Sequence, residues 1–477
     1  MIDFAEFVSK PKSLLIAPAG YGKTHTIAEC LKHTASHGKQ LILTHTHAGI
    51  ASIKEKIKKS NIPNSCYNVE TISSFAQKYV LSFYTGSDLP EQSESTDYYP
   101  FILTKAIEFL KVSLIRSIIK TTYSGLFIDE YQDCTVTQHS FISLLSEILP
   151  TRILGDYMQG IFGFNGESLV NLQDPNEMGD YSLHAYELVT PQRWLRGNNE
   201  ALGNDLKEIR KLLINKSKIA LNLFPSIEFH LIEEGDIYDY KKYYNKKVAE
   251  ILSEKNVLLL HPDSTSINPR IKLIKKFNNR ITLIESIDDK DFYALSEQAD
   301  SFTKENSGTF FREIGLKLFN KTGINNWFNN TGLIRKTKPT DKALIEPIAV
   351  MMARIDVPLR FGLISDIIKE LRKLPEIKCY RRELLKSFCW ALEEADAGGI
   401  SVQEAMNEKR NSVRRFGRKV FGRCIGTTLL TKGLEFDTVV LINAHKFDCP
   451  KHLYVAMTRA SKRLIIFSNK NTLIPYK

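Results

Sequence analysis

The sequence predicts an α/β protein built on two parallel sheets. Three observations carry that reading. Short apolar runs alternate with helical patterns, several runs end in glycine or an acid, and a second set of runs follows the first later in the chain. Ligands of such sheets bind at the carboxyl ends of the strands.

The first set is SLLIAP (13–18), LILTHT (41–46), GLFIDE (125–130) and RILGD (152–156). Between two of these lies ASIKEKIKK, where Ile50, Ile53 and Ile57 share one helical face. Its lysines read as the wet face of that helix. YTGSDLPEQSESTDYYP (84–100) is polar, acidic and proline-containing, and reads as a flexible loop in a small insertion. The second set is NVLLLHP (256–262), RITLIES (280–286), TVVLINAH (438–445) and RLIIFS (463–468). The long helix-like stretch in its middle, broken at SGTFF, NNTG and DAGGI, reads as an inserted domain.

A length of 477 residues exceeds one ordinary core, so several domains are expected. No apolar run reaches the roughly 18 residues of a membrane span, which predicts no membrane partner. MIDFAEFVSKPK lacks the basic start of a signal peptide, and the expected location is cytoplasmic. The 7 cysteines form no CxxC pair and read as reduced thiols, neither zinc ligands nor a disulfide framework. THTH (44–47) pairs two histidines without further ligand candidates nearby. The net charge of +11 favours a polyanionic partner, most often nucleic acid.

Chemistry collects at the strand ends. APAGYGKT runs Ala17, Pro18, Ala19, Gly20, Tyr21, Gly22, Lys23, Thr24. Its glycines let backbone N–H groups curl around phosphate oxygens, Lys23 supplies a point charge, and the Thr24 hydroxyl a Mg²⁺ ligand. GLFIDEYQD delivers Asp129, suited to Mg²⁺, and Glu130, suited to orienting or deprotonating water. RILGDYMQGIFGFNG offers Gln159 as a γ-phosphate sensor, and Phe162 and Phe164 as stacking platforms or a small plug under the loop. LVTPQRW and YVAMTRA give Arg193 and Arg459, either surface arginines or groups that reach a γ-phosphate.

In order, these segments resemble the UvrD/Rep/PcrA-type superfamily 1 DNA helicases over nearly the whole chain. APAGYGKT looks like motif I, LTHTHAGI (43–50) motif Ia, and ETISSFA (70–76) the DNA-touching segment after it. FIDEYQD, GDYMQGIFGFNG and TPQRW look like motifs II, III and IV. GTTLLTKGLEFD (426–437) and YVAMTRA look like V and VI. The resemblance implies two RecA-like P-loop domains with parallel sheets, ATP between them, and an inserted mainly helical subdomain in each. It maps domain 1A to 1–75 and 123–187, a reduced 1B insertion to 76–122, domain 2A to 188–299 and 419–477, and a 2B-like insertion to 300–418. It carries Lys23, Thr24, Asp129, Glu130, Gln159, Arg193 and Arg459 into phosphate and Mg²⁺ roles, and Glu435 toward the ribose. Thr44, Thr46, Thr71, Phe162, Phe164 and Thr427 would line the single-strand track, with 3′ to 5′ polarity on single-stranded DNA or a tailed duplex.

Departures from the family pattern matter too. No Gln precedes Gln40, and the family's adenine-stacking Tyr is Gln192, so GTP or other NTPs are admitted beside ATP. Asn165, Leu429 and His47-Ala48 replace coupling and DNA-contact residues, leaving hydrolysis better supported than strand separation. RRFGRKVFGR (414–423), with Phe416 and Phe421, reads either as a phosphate-backbone grip or as a solvated linker. With no nuclease module expected after the last strand, the compact chain resembles the helicase component of two-gene phage-defence systems such as Gabija. There a separate nuclease does the cutting. Three functions compete: a DNA motor in repair or defence, a DNA-sensing NTPase that regulates a nuclease partner, and a small-molecule P-loop kinase. The second sheet argues against the kinase.

Overall fold

The computed structural model describes residues 2–90, 95–162, 167–239, 241–263, 265–277, 280–285, 290–355, 360–416, 420 and 422–476. The chain is α/β, with two six-stranded parallel sheets. Its strands are β1 Lys12–Ile16, β2 Gln40–Thr44, β3 Tyr67–Thr71, β4 Gly125–Ile128, β5 Thr151–Gly155, β6 Ala185–Glu187, β7 Ile219–Ala220 and β8 Ile227–Leu231. There follow β9 Val257–Leu260, β10 Thr282–Leu283, β11 Phe328–Asn329, β12 Gly332–Leu333, β13 Arg423–Gly426, β14 Phe436–Leu441, β15 Ala460–Ser468 and β16 Thr472–Leu473. The large sheets are ordered β3-β2-β4-β5-β1-β6 and β10-β13-β9-β14-β15-β8.

All eight apolar runs in the sequence lie on strands of these sheets. β3, β6, β8 and β13 were not foreseen. Three of them close a sheet edge, where one face stays wet and the apolar signal halves. β3, for example, reads YNVET and buries only alternate residues.

By packing, the chain divides into two compact units. One comprises residues 1–231, 415–417 and 432–477, the other residues 232–414 and 418–431. In the first unit, the helices are α1 Phe4–Ser9, α2 Lys23–Thr34, α3 His47–Lys59, α4 Ile72–Phe83, α5 Ser95–Phe109, α6 Ser113–Thr122, α7 Val136–Ser146, α8 Pro175–Met178, α9 Gln192–Arg196 and α10 Glu200–Ile214. The strand period of two sends alternate residues of its full sheet to opposite faces. Leu15, Ile42, Phe127 and Leu154 pack with Ile27 and Leu31 of α2 and with Ile53 and Ile57 of α3. Leu14, Leu41, Leu126 and Ile153 pack with Phe75, Ile119 and Phe141 on the other face. Each such side chain contributes about 1.5–3 kcal/mol of burial.

The expected flexible loop at 84–100 is corrected in part, because α5 already begins at Ser95 and buries Tyr98. The aromatic content of TDYYP outweighs its acids, and Pro100 lies within that helix.

In the second unit, the stretch after β10 is mainly helical. Helices Ser307–Leu318, Phe361–Leu371 and Arg382–Gly398 pack around Phe311, Ile364 and Phe388. Buried Glu285 accepts from Arg381 Nε at 2.9 Å and from the N–H groups of Glu383 and Leu384 at 3.0 and 3.2 Å. Those amides begin the helix Arg382–Gly398, so one carboxylate caps it and holds it to the chain leaving β10. Among the described residues, no helix is long and apolar enough to cross a membrane.

Candidate active site

Strand β1 ends at Ile16, and Ala17 N–H still donates to Gly155 O at 2.9 Å. The chain then turns through Gly20 and Gly22, at φ +79° and +99°, before α2 begins at Lys23. Both angles lie in the left-handed region that glycine alone enters freely. At Gly20 there is a second reason, since a Cβ would stand 2.9 Å from the Trp194 ring. Trp194 is fully buried beneath the turn and donates from its indole N–H to Ala460 O at 2.9 Å.

Lys23 is buried and places Nζ 2.5 Å from Glu130 Oε1 and 3.6 Å from Asp129 Oδ1. Burial opposes its charge, but the two carboxylates outweigh it and hold the ammonium above its ordinary range. Burial pushes Asp129 up, only partly offset by Lys23. Glu130 goes the other way, because Lys23 and Lys432 outweigh its burial. Glu130 sits at φ +59°, an unusual backbone for a non-glycine and a common mark of functional sites.

A second layer of hydrogen bonds fixes these groups. Gln132 donates to Glu130 Oε2 and accepts from Asp156 N–H at 2.9 Å. Asp156, fully buried, accepts from Ala19 N–H at 3.2 Å and from Gln159 Nε2 at 3.0 Å. The Ala19 amide also donates to the Tyr454 hydroxyl, 3.2 Å away. Arg210 of α10 completes this knot at 3.0 Å from Asp156. Gln159 is therefore joined to the P-loop through one carboxylate.

The two expected arginines lie in the same unit. Arg193 N–H donates to Gly20 O at 2.8 Å, and its Nε lies 2.9 Å from Glu435. Arg459 is 2% exposed. Its guanidinium donates to Val455 O and Leu434 O, both at 3.0 Å, and to Thr458 Oγ1 at 3.4 Å. No carboxylate pairs with it among the described residues. Burial, followed by the nearby Arg193, lowers it to about 9. A buried cation without an anion is costly unless an anion arrives.

Sequence reasoning did not assign Asp133 and Lys432. Lys432 Nζ sits 2.6 Å from both oxygens of Asp133, and the Phe162 ring lies 4.6 Å from the same ammonium. Burial outweighs pairing on both sides, raising Asp133 and lowering Lys432. Both residues stand in recognisable motifs, IDEYQD and LTKGLEFD. Gln132 shares the first, while Arg210 carries no sequence signal.

The residues expected to line a single-strand track are placed as follows. Thr44 ends β2 and is buried. Thr46 and Thr71 cap α3 and α4, accepting from Gly49 N–H and Ser74 N–H, both at 3.0 Å. Phe162 is half-buried against Lys432. In the second unit, Thr427 is buried and its carbonyl accepts from Thr431 Oγ1 at 2.9 Å. Phe164 and Asn165 lie outside the described residues, as do Phe421 and part of the basic stretch 414–423.

Comparison with known proteins adds two domain matches. Residues 4–165 match an AAA domain, and residues 403–468 a viral superfamily 1 RNA helicase core domain. The chain is 25% identical over 253 residues to the exonuclease/helicase subunit RexA of Lactococcus lactis subsp. cremoris (strain MG1363). It is 29% identical over 254 residues to an ATP-dependent helicase/nuclease subunit of the same subspecies (strain SK11). Each alignment covers 52% of this chain and 20% of the relative, so the chain spans about a fifth of their length.

Proposed function

We propose that this chain, a UvrD-like superfamily 1 helicase by its matched domains and relatives, hydrolyses ATP with Mg²⁺. It uses the energy to move 3′ to 5′ along single-stranded DNA in the cytoplasm and to open tailed duplexes. The observation that carries this reading is Arg459, a buried guanidinium with no carboxylate partner among the described residues, in the same unit as a glycine turn and the buried Asp129.

The residues suit the group. The turn at Gly20 and Gly22 shapes a backbone cradle for phosphate oxygens, with Ala17, Pro18, Ala19 and Tyr21 completing it. Lys23, Arg193 and Arg459 supply charge to the outer phosphates. Glu435 reaches the ribose, and Gln159 reads the γ-phosphate. Thr24 and Asp129 offer the hard oxygen donors that Mg²⁺ prefers and would hold it. Mg²⁺ would neutralise charge on the phosphates. Glu130 accepts the proton of the attacking water. In the present arrangement Lys23 occupies Glu130. Once Lys23 turns to phosphate, Glu130 loses its strongest partner and becomes a better base.

ATP and GTP hydrolysis, with and without single-stranded DNA, tests this reading beside Lys23→Ala and Arg459→Ala. DNA-stimulated turnover lost in both variants supports it, as does unwinding of a 3′-tailed duplex. Brisk hydrolysis with no unwinding on any tail overturns the motor. DNA affinity should also fall steeply between roughly 50 and 200 mM salt.

A second reading has the chain sense DNA without unwinding and regulate a separate nuclease, in repair or antiviral defence. It is favoured by relatives named as exonuclease/helicase and helicase/nuclease subunits.

A further inference from the structure

Behind the P-loop, within the first unit, lies a cavity of about 570 Å³. That is the size range of small-molecule pockets, roughly 300–1,000 Å³. Leu14, Ile16 and Ile214 give it an apolar floor, and Tyr21 and Tyr157 an aromatic wall. None of Lys23, Thr24, Asp129, Glu130, Gln159, Arg193 and Arg459 lines it. Its position explains why. Leu14 and Ile16 face the α4–α7 side of the sheet, whereas Leu15 and Ala17 face α2, which begins with Lys23.

The polar part of the lining is unbalanced. Lys207, Arg210 and Lys211 of α10 line it beside one carboxylate, Glu187; Lys211 also pairs with Glu208 at 2.7 Å, outside the lining. Arg210 is 7% exposed and raised above its ordinary range, because Asp156 outweighs its burial. Its terminal nitrogens lie 3.0 Å from Asp156 and 3.6 Å from Glu187. Its Nε is buried and makes no hydrogen bond among the described residues. A buried charged donor left unmade is expensive.

We infer that this cavity is a second ligand site, for a small organic anion with a flat apolar body. The body packs between the aliphatic floor and the tyrosines, and the acidic group meets the α10 cations. Occupancy bears on the P-loop, because the same guanidinium holds Asp156, which accepts from Ala19 N–H. The cavity shares Pro18 and Tyr21 with the proposed phosphate-binding turn, but none of that site's charged or metal-holding side chains.

Anilinonaphthalene sulfonate, a fluorescent flat anion, is the probe, titrated onto the whole chain. Ala185→Trp fills the cavity from edge strand β6, and Lys207→Glu with Lys211→Glu reverses its rim. The two act by different physics, so one failing to fold leaves the other as a test. Saturable binding is expected in the native chain. It should weaken about tenfold or more in the charge-reversed form, vanish in the filled form, and persist under excess Mg-ATP. Binding unchanged in folded variants, no saturable binding, or stoichiometric displacement by Mg-ATP overturns the assignment.

Discussion

Lys432 and Asp133 form a buried ion pair across 299 residues of sequence, with the ammonium 2.6 Å from both carboxylate oxygens. The pair joins the segment after β4 to the segment before β14. Removing one partner strands a buried charge, which costs about 3–5 kcal/mol. Lys432→Met and Asp133→Asn should each destabilise by that order. The double variant should lose less than the sum, as a double-mutant cycle in urea will read.

Arg459 should separate stability from activity. Its charge is buried without an anion, so Arg459→Met is expected to leave the nucleotide-free chain as stable or more stable. Hydrolysis should fall by roughly 10³–10⁵, the usual worth of such an arginine. Thermal melting beside turnover checks both. A large loss of stability would mean that its bonds to Val455 O and Leu434 O are what the residue is for.

Arg210 is a positioning residue, touching Asp156 but none of the phosphate-binding groups. Arg210→Met should cost about 3–5 kcal/mol by orphaning a buried carboxylate. Arg210→Lys keeps the charge and should recover part of that loss. If Asp156 positions Gln159 and the P-loop, Arg210→Lys will lower kcat more than it raises KM for ATP.

Gly20→Ala meets two obstacles together, a φ of +79° and the Trp194 ring at 2.9 Å. The backbone alone costs about 1–2 kcal/mol. We expect loss of nucleotide binding with a lowered melting point. Trp194→Phe added to Gly20→Ala should relieve the clash without relieving the backbone strain.

His45 predicts an acid-side weakness. Burial, then Lys432, lowers it to about 4, and its Nε2 lies 3.5 Å from Cys134 Sγ. A base lowered on folding contributes stability that is fully present above its unfolded pKa, near 6.5, and is lost as pH falls toward 4. Asp133, raised to about 6, acts in the opposite sense, losing its contribution as pH rises through 6. The clean readout is therefore a difference. Between pH 7.5 and pH 5, roughly spanning the unfolded His pKa, native stability should fall more than that of His45→Gln.

The sequence by itself determined the two-sheet α/β class and which polar residues stand at the strand ends. Apolar runs that stop at Gly155 and Asp129 announce both a buried strand and where it ends, and the signal is local. It also marked the turn after β1, because only glycine makes the turns at 20 and 22 freely. The edge strands β3, β6 and β8 escaped it, since a strand wet on one face shows half a pattern. Tertiary structure alone decided the partners. The Arg210–Asp156 and Lys432–Asp133 contacts span 54 and 299 residues, and no periodicity encodes a pairing at such distance. Burial was also a tertiary matter. The same arginine and lysine types are ordinary surface residues until folding removes water from Arg459 and Lys23, and only then does the charge demand an anion.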